Sequence, residues 1–219
     1  NIPMIVFINK LDREGKDAFD LMDEVEQKLK LRVTPLSFPI GMGYDFQGIY
    51  NIWEKNINLF EGDSRKNIEE TIAFDDINNP ELEKIIGEKP ANRLREELEL
   101  IEEVYPAFSR EEYLAGDLQP VFFGSALNNF GVRELLDCFV EIAPTPRAKE
   151  SDTRLVHPEE EKLSGFVFKI HANMDPKHRD RLAFIKIVSG TFEKNKPYLH
   201  VRLGKNLKFS SPNAFFADW

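Results

Sequence analysis

Three polar side chains, Asn9, Lys10 and Asp12, follow a short apolar run in the stretch MIVFINKLD, residues 4–12. The run is continuously apolar and rich in β-favouring residues, which predicts a strand covered on both faces in a parallel sheet. Open α/β sheets bind ligands beyond the carboxyl ends of their strands. We therefore expect the three side chains to lie at a ligand-binding edge.

A carboxylate at this position suits guanine as a ligand. The N1–H and the exocyclic 2-amino group of guanine lie side by side, so Asp12 can accept a hydrogen bond from each. Adenine has an acceptor at N1 and no 2-amino group, and this mismatch in a desolvated pocket predicts a preference for guanine on the order of 10⁴-fold. Asn9 can contact the Hoogsteen edge of the base or tie neighbouring loops together, and Lys10 can lay its alkyl stem along the base face.

A second loop has matching chemistry. The stretch FFGSAL, residues 122–127, places Ser125, Ala126 and Leu127 after another apolar run. A small residue at this point allows a backbone N–H to approach guanine O6, and the Ser125 hydroxyl can orient the Asp12 carboxylate. Alone, the stretch is typical of an ordinary turn, but together with the first loop it favours one base-binding site built from two segments.

The segments between the two loops predict an α/β pattern with added structure. Apolar residues at three- and four-residue spacing after Gly15 predict a helix to about Leu31, and residues 33–41 are a second strand candidate broken by two prolines. Gly, aromatic and alternating polar residues over 41–80 predict short antiparallel strands. Further helices are predicted over 79–86, 90–105 and 109–117, the second of them amphipathic with a Glu-rich outer face.

The α/β pattern returns with a strand over Val121–Phe123, followed by a helix. The buried face of that helix is predicted to carry five apolar residues: Val132, Leu135, Leu136, Phe139 and Val140. Prolines and polar residues then predict a linker over 148–162, and β-rich segments beyond it predict part of an antiparallel β-barrel over 163–219. The predicted fold class is thus α/β, a parallel sheet with helices and an α+β insertion, followed by part of a barrel.

Composition and charge limit the classes of protein. The chain is 42% apolar and 31% charged with a net charge of −9, and it shows neither a membrane-spanning run nor a secretory signal. Cys138, the single cysteine, lies among apolar residues and is predicted to be a buried thiol in a reducing cytoplasm. Residues 163–219 carry 10 Lys and Arg against 4 Asp and Glu, which suggests a separate basic module that faces phosphate. We expect a cytoplasmic monomer with no membrane partner.

The two loops resemble the fourth and fifth guanine-specificity motifs of translational GTPases, in INKLDRE at 8–14 and GSAL at 124–127. About 110 residues separate Asp12 from Ser125, and an insertion of this size resembles the branch that contains elongation factor G and release factor 3. The stretches NNPELEKIIGE and LREELELIEE, and above all the long run over 164–195, are most similar to the release factor 3 family. The resemblance covers essentially the whole chain.

This resemblance implies a bacterial ribosome-bound GTPase that uses GTP binding and hydrolysis to eject codon-reading release factors after the finished peptide is freed. Its implied partners are the ribosome, through ribosomal RNA and proteins, the codon-reading release factors, and GTP or GDP. Residues 1–147 would form the C-terminal part of the GTPase domain, with an insertion at about 41–118. By motif match, guanine would be held by Asn9, Lys10, Asp12, Ser125, Ala126 and Leu127.

The phosphate loop, the switch threonine and the Asp-x-x-Gly motif with its catalytic histidine precede the fourth motif in this family, and this sequence contains none of them. Its Gly-rich stretch, GMG at 41–43, lacks the Lys-Ser/Thr that grips phosphate and Mg²⁺. We therefore expect a fragment without catalytic residues, with Mg²⁺ bound only by the full-length protein. The alternatives are an elongation-factor-G-like or ribosome-protection GTPase, and a non-hydrolysing module that docks on RNA or protein.

Other chemistry-bearing residues favour plainer interpretations. The basic stretch MDPKHRDR, residues 174–181, is either a solvated hairpin tip or a contact loop for ribosomal RNA or the switch regions. Phe46, Tyr50 and Trp53 predict a small core within the insertion rather than a stacking surface. The four histidines show no metal-ligand spacing, which argues against a zinc site.

Overall fold

The computed structural model describes residues 2–60, 71–172, 181–210 and 212. The chain forms two compact units, Asn1–Pro144 and Thr145–Trp219. The first unit contains β1 (Val6–Ile8), α1 (Ala18–Leu29), β2 (Val33–Pro35), β3 (Ser37–Ile40), β4 (Gly48–Asn51), β5 (Asn56–Leu59), β6 (Thr71–Ala73), α2 (Glu81–Ile86), α3 (Glu88–Val104), α4 (Arg110–Ala115), β7 (Gln119–Phe123) and α5 (Val132–Ile142).

The first unit contains a parallel sheet of three strands in the order β1-β7-β2. Strand β1 pairs with β7 in parallel, with Val6 opposite Val121 and Ile8 opposite Phe123. On its other side β7 pairs in parallel with β2. The α/β fold class predicted from the sequence is confirmed, since apolar strands covered by helices form parallel pairs.

The second strand candidate, residues 33–41, divides between two sheets. Its first half, β2, belongs to the parallel sheet, and its second half, β3, begins an antiparallel sheet in the order β3-β4-β5-β6. Leu36 lies between β2 and β3, where the chain passes from one sheet to the other. Its N–H donates to the Val121 carbonyl at 2.9 Å, and its own carbonyl accepts from the Ile52 N–H at 2.9 Å. The short antiparallel strands predicted over 41–80 are confirmed, although their sheet begins earlier, at Ser37.

Helix predictions in the insertion are confirmed with small shifts of their ends. In α3, Ala91, Leu94 and Ile101 are buried, and the Glu-rich face is turned outward. Helix α2 begins one residue later than predicted, with Pro80 as its N-cap, and the side chain of the preceding Asn79 accepts from the Glu81 N–H at 3.0 Å. Ser109 caps α4 through the Glu112 N–H.

The buried face predicted for α5 is wrong for three of its five residues. Leu136, Phe139 and Val140 are exposed, Val140 at 79%. The buried side of the helix carries Glu134, Cys138 and Ile142, four positions apart. The number of apolar residues favoured the face that carries Leu136, Phe139 and Val140. The face that contacts the insertion is instead the one that carries the Glu134 carboxylate.

One apolar core joins the parallel sheet, α1 and the insertion. It contains Leu11 of the first predicted loop and Phe130, three residues after the second, together with insertion residues such as Phe46 and Tyr50. A smaller cluster around Cys138 takes in Trp53. Phe46, Tyr50 and Trp53 are core residues rather than a stacking surface, but the prediction that they form a small core of the insertion alone is wrong, because they pack into clusters shared with the sheet and α5.

In the described part of the chain, no helix is both long and apolar enough to cross a membrane.

The second unit contains antiparallel strand pairs. Its elements are β8 (Lys149–Glu150), β9 (Leu155–Val156), β10 (Ser164–Ala172), β11 (Arg181–Ser189), β12 (Pro197–His200) and β13 (Lys205–Lys208). The pairs are β8 with β9, β10 with β11, and β12 with β13. The stretch predicted as a linker, 148–162, thus contains a strand pair of its own. The candidate contact loop over 174–181 lies outside the described residues except for Arg181.

Cys138 provides a test of the core. Its thiol is buried, and burial with the nearby Glu141 and Glu54 raises its pKa to about 12. At pH 8 we expect Ellman's reagent to label it about 10³-fold more slowly than an ordinary thiol, because only the thiolate reacts. Labelling in 8 M urea should proceed at the ordinary rate. Equal rates in native and unfolded chain would contradict a buried Cys138.

Candidate functional site

The ends of β1 and β7 bring the two predicted loops into contact. Beyond the paired residues Ile8 and Phe123, the Gly124 N–H donates to the Ile8 carbonyl at 3.0 Å. The Leu11 N–H in turn donates to the Gly124 carbonyl at 3.2 Å. The strand pairing therefore continues into the loops, and residues 9–12 lie beside residues 124–127 at the carboxyl edge of the sheet.

Asn9 links one loop to the other. Its side-chain Oδ1 accepts from the Lys10 N–H and from the Ala126 N–H, both at 2.8 Å. The second bond joins residues 117 positions apart in the sequence. The bond to the Ala126 N–H corresponds to the loop-tying role, one of the two that the sequence left open for Asn9.

The backbone turns sharply at Lys10, so that the neighbouring Leu11 side chain is buried while the Lys10 side chain stays exposed. Lys10 is exposed and has φ +72, a left-handed conformation that a lysine rarely adopts. The Arg13 N–H closes the turn on the Lys10 carbonyl at 3.1 Å. Leu11, next in the chain, is 2% exposed and packs in the core. The buried Leu11 side chain therefore anchors the loop beside Asp12.

The Asp12 carboxylate is half-buried at the loop surface. Among the hydrogen bonds and ion pairs of the described residues, none involves this carboxylate. Both of its oxygens are therefore available to a ligand. A half-buried acceptor with two oxygens matches a pair of adjacent N–H donors such as those of guanine.

Ser125 is held by its own loop rather than by Asp12. Its backbone pairs with that of Phe130, N–H to carbonyl in both directions at 2.9 Å. Its hydroxyl accepts from the side-chain amide of Asn128 at 2.9 Å. The sequence predicted that this hydroxyl orients Asp12, but no hydrogen bond joins the two residues in the described structure. Asn128, which the sequence reasoning missed, carries a polar side chain three residues after Ser125, and this spacing was the available signal.

Ala126 and Leu127 lie at the exposed tip of the loop, with the Leu127 side chain 83% exposed. The Ala126 N–H is taken by Asn9. Within the described ranges the Leu127 N–H donates to no acceptor, although its neighbours do. The loop therefore presents one backbone donor on the same side of the sheet as the Asp12 loop.

Two glycines allow the second loop to approach the strands closely. A Cβ at Gly124 would lie 2.3 Å from the Phe130 carbonyl oxygen and 2.8 Å from the Phe7 ring. A Cβ at Gly131, which has φ +74, would lie 2.4 Å from the Phe123 carbonyl oxygen. Backbone atoms cannot yield to such a contact without moving the chain, so a side chain at either position would displace the loop.

The described residues do not form a metal site. No group of three or more His, Cys, Asp and Glu side chains among them is placed to hold an ion. The Gly-rich stretch GMG lies against the first loop, where the Gly43 N–H donates to the Leu11 carbonyl at 3.1 Å. Within the described ranges, the two loops carry polar groups at the sheet edge but no cluster of His, Cys, Asp and Glu that would hold Mg²⁺.

A parallel sheet with two polar loops at its carboxyl edge defines this unit as a ligand-binding α/β domain of the nucleotide-binding type. Comparison with protein families agrees. Residues 1–145 match the family model of the elongation factor Tu GTP binding domain, and residues 162–219 match that of elongation factor G domain 2. The chain belongs to the elongation factor Tu GTP-binding domain family. The two matches together place it among the translational GTPases.

Gly124→Ala tests the close approach of the second loop. We expect it to lower the free energy of unfolding by about 1–3 kcal/mol, because the added Cβ overlaps a backbone carbonyl. Gly15→Ala is the matched control, since its Cβ would meet only the Met42 sulfur, at 3.9 Å. Urea unfolding followed by circular dichroism compares the two variants. Equal midpoints would show that the loop has room for a side chain.

Proposed function

We propose that this chain supplies the guanine-reading part of a ribosome-dependent GTPase of translation termination. The function belongs to the full-length protein, which would use GTP binding and hydrolysis to recycle codon-reading release factors from the ribosome. The observation that carries the proposal is the hydrogen bond from the Ala126 N–H to Asn9, which holds the two loops side by side. Family membership supports a guanine nucleotide, GTP or GDP, as the ligand.

Each loop has a distinct part in reading the base. The Asp12 carboxylate accepts from the guanine N1–H and the 2-amino group, while the Leu127 N–H donates to guanine O6. Lys10 lays its stem along the base face, and Asn9, Ser125 and Ala126 maintain the pocket. Adenine would set its N1 lone pair against Asp12 and its 6-amino group against the Leu127 N–H, so both contacts would be repulsive.

The chemistry of phosphate transfer lies with residues outside this sequence. A phosphate loop and Mg²⁺ would supply charge neutralisation when present in the full-length protein. None of the residues described above abstracts a proton or stabilises a phosphoryl group. Their part is to select guanine and hold it in place.

The role in termination rests on the sequence. The run over 164–195 and the insertion stretches are most similar to the release factor 3 family. An elongation-factor-G-like or ribosome-protection GTPase fits the two family matches equally well. The excess of Lys and Arg over 163–219 suits contact with ribosomal RNA phosphates in either case. We propose a cytoplasmic monomer that meets the ribosome and the release factors only transiently.

Asp12→Asn tests the base assignment in the full-length protein. The change replaces one acceptor oxygen with an amide donor, which repels the guanine N1–H and suits the 2-oxo group of xanthine. We expect ribosome-stimulated hydrolysis of GTP at subsaturating concentration to fall on the order of 10⁴-fold, with activity recovered on XTP. Steady-state assays with both nucleotides provide the measurement.

Asp23→Asn is the matched control for this change. Asp23 is an exposed carboxylate on α1, away from the loops. The control should hydrolyse GTP at the parental rate and gain nothing on XTP. If Asp12→Asn kept the parental preference for GTP, Asp12 would not be the base reader.

This 219-residue chain should bind nucleotide poorly. Phosphate and Mg²⁺ contacts supply much of the affinity for a nucleotide, and the described residues offer only base contacts. We expect a titration with fluorescent GDP to give a dissociation constant weaker than micromolar, and we expect no GTP hydrolysis. Micromolar or tighter binding would mean that a phosphate site exists in these residues.

The choice between termination and elongation needs a functional assay. Post-termination ribosomes carrying a labelled codon-reading release factor should lose it faster when the full-length protein and GTP are added. The elongation-factor-G alternative predicts stimulated translocation instead, and a docking module predicts neither activity. Loss of the release factor without GTP hydrolysis would contradict the proposed mechanism.

A further inference from the structure

One turn of the insertion touches both base-reading loops. The turn comprises Gly43–Asp45 and the following Phe46. At its start, the Gly43 N–H donates to the Leu11 carbonyl at 3.1 Å, in the first loop. At its end, the Phe46 ring packs edge-on against Phe130, which pairs with Ser125 of the second loop, with centroids 5.6 Å apart. Four consecutive residues therefore connect the loops from the insertion side.

Phe130 is the point at which the second loop is closed. It forms both backbone hydrogen bonds with Ser125, so the segment that contains Ala126 and Leu127 is a short loop closed at Phe130. Its side chain is 1% exposed. Besides Phe46, it meets Phe60 edge-on at 5.4 Å, and Phe46 and Phe60 also contact each other at 5.3 Å. Two of these three rings belong to the insertion.

The first loop is supported in a similar way. Leu11 is buried in the same core as Phe46 and Phe130, and its carbonyl is held by the insertion while its N–H is held by Gly124. Because Leu11 adjoins Asp12, any movement of the Leu11 backbone moves the carboxylate. The three-ring cluster of Phe46, Phe60 and Phe130 and the bond from Gly43 to Leu11 thus act on the two loops together.

We propose that the insertion holds the two base-reading loops at the spacing that guanine requires, and that Phe130 is the positioning residue through which it does so. The proposal rests on the proposed guanine site. It assigns to the insertion a role in base selectivity, although none of the residues in the three-ring cluster touches the base. Two hydrogen bonds to one carboxylate tolerate little displacement of the donors. A loosened loop should therefore lose selectivity for guanine before it loses binding of the nucleotide.

The direct test measures loop opening in this chain by amide hydrogen exchange. In Phe130→Leu we expect the Leu11 and Phe130 amides to exchange at least about tenfold faster than in the parental chain, because local opening becomes easier. The Leu94 amide in α3 reports global unfolding and corrects for a general loss of stability. Phe46→Leu, which changes only the insertion, should produce the same local effect.

Phe74→Leu is the matched control. Phe74 is an insertion aromatic that is 6% exposed, nearly as buried as Phe46 at 8%, and it makes no ring contact with the three-ring cluster. It should accelerate all core amides alike without a selective effect on Leu11 and Phe130. If Phe130→Leu and Phe46→Leu accelerated these two amides no more than Phe74→Leu does, the proposal would be overturned.

The second measurement is base discrimination in the full-length protein. Inosine diphosphate keeps the N1–H and O6 of guanine but lacks the 2-amino group, so the ratio of its dissociation constant to that of GDP reports the two-bond contact with Asp12. We expect Phe46→Leu and Phe130→Leu to reduce this ratio about tenfold, and Phe74→Leu to leave it unchanged. An unchanged ratio in the first two variants would refute a role in selectivity.

The two measurements separate this inference from the proposed function. A parental protein that binds both diphosphates equally would refute the guanine site and, with it, the claim on selectivity. The exchange experiment needs no nucleotide, so it decides independently whether the insertion controls the loops. Selectively faster exchange at residues 11 and 130 supports the claim that the insertion positions the loops. The absence of this effect overturns the claim.

Discussion

The parallel pairing of β1 with β7 is the constraint on which the candidate site depends. The two strands lie far apart in the sequence, and the first loop reaches the second only because Ile8 is opposite Phe123. Closing so long a segment costs conformational entropy, although the cost rises slowly with length. The intervening residues offset it by packing into the same apolar core as the sheet. The site and the insertion are for this reason parts of one folded unit.

A buried polar contact fixes how the insertion meets α5. The Asn58 side-chain amide donates to the Glu134 carboxylate at 2.6 Å, and the two residues are 1% and 6% exposed. A buried carboxylate is tolerated only with hydrogen-bond partners, so sliding β5 along the helix would be strongly unfavourable. Nearby, the Trp53 indole N–H donates to Glu141 at 3.1 Å. These two contacts select the side of α5 that faces the insertion.

Much of the fold could be predicted because local patterns and tertiary contacts agree. The apolar spacing of α3, the capping signal at Asn79 and the apolar run of β7 each predicted the element that is found. The buried face of α5 was wrong because Leu136 and Phe139 increase the apolar count of a stripe that the insertion does not cover. The change of sheet at Leu36 was missed for a related reason: a single residue bonded to two sheets leaves no periodic signal.

The types of side chain at the candidate site follow from the sequence alone. Carboxylate, amide and small-residue groups follow two strands, at Asn9, Lys10 and Asp12 and at Ser125, Ala126 and Leu127, since side-chain type is a local property. Which atoms of these residues come into contact depends on the tertiary structure. It assigned Asn9 to the Ala126 N–H, Ser125 to Asn128 rather than Asp12, and Phe130 to the insertion. Such pairings depend on strand register and on the packing of distant side chains, and neither is encoded within a single short segment.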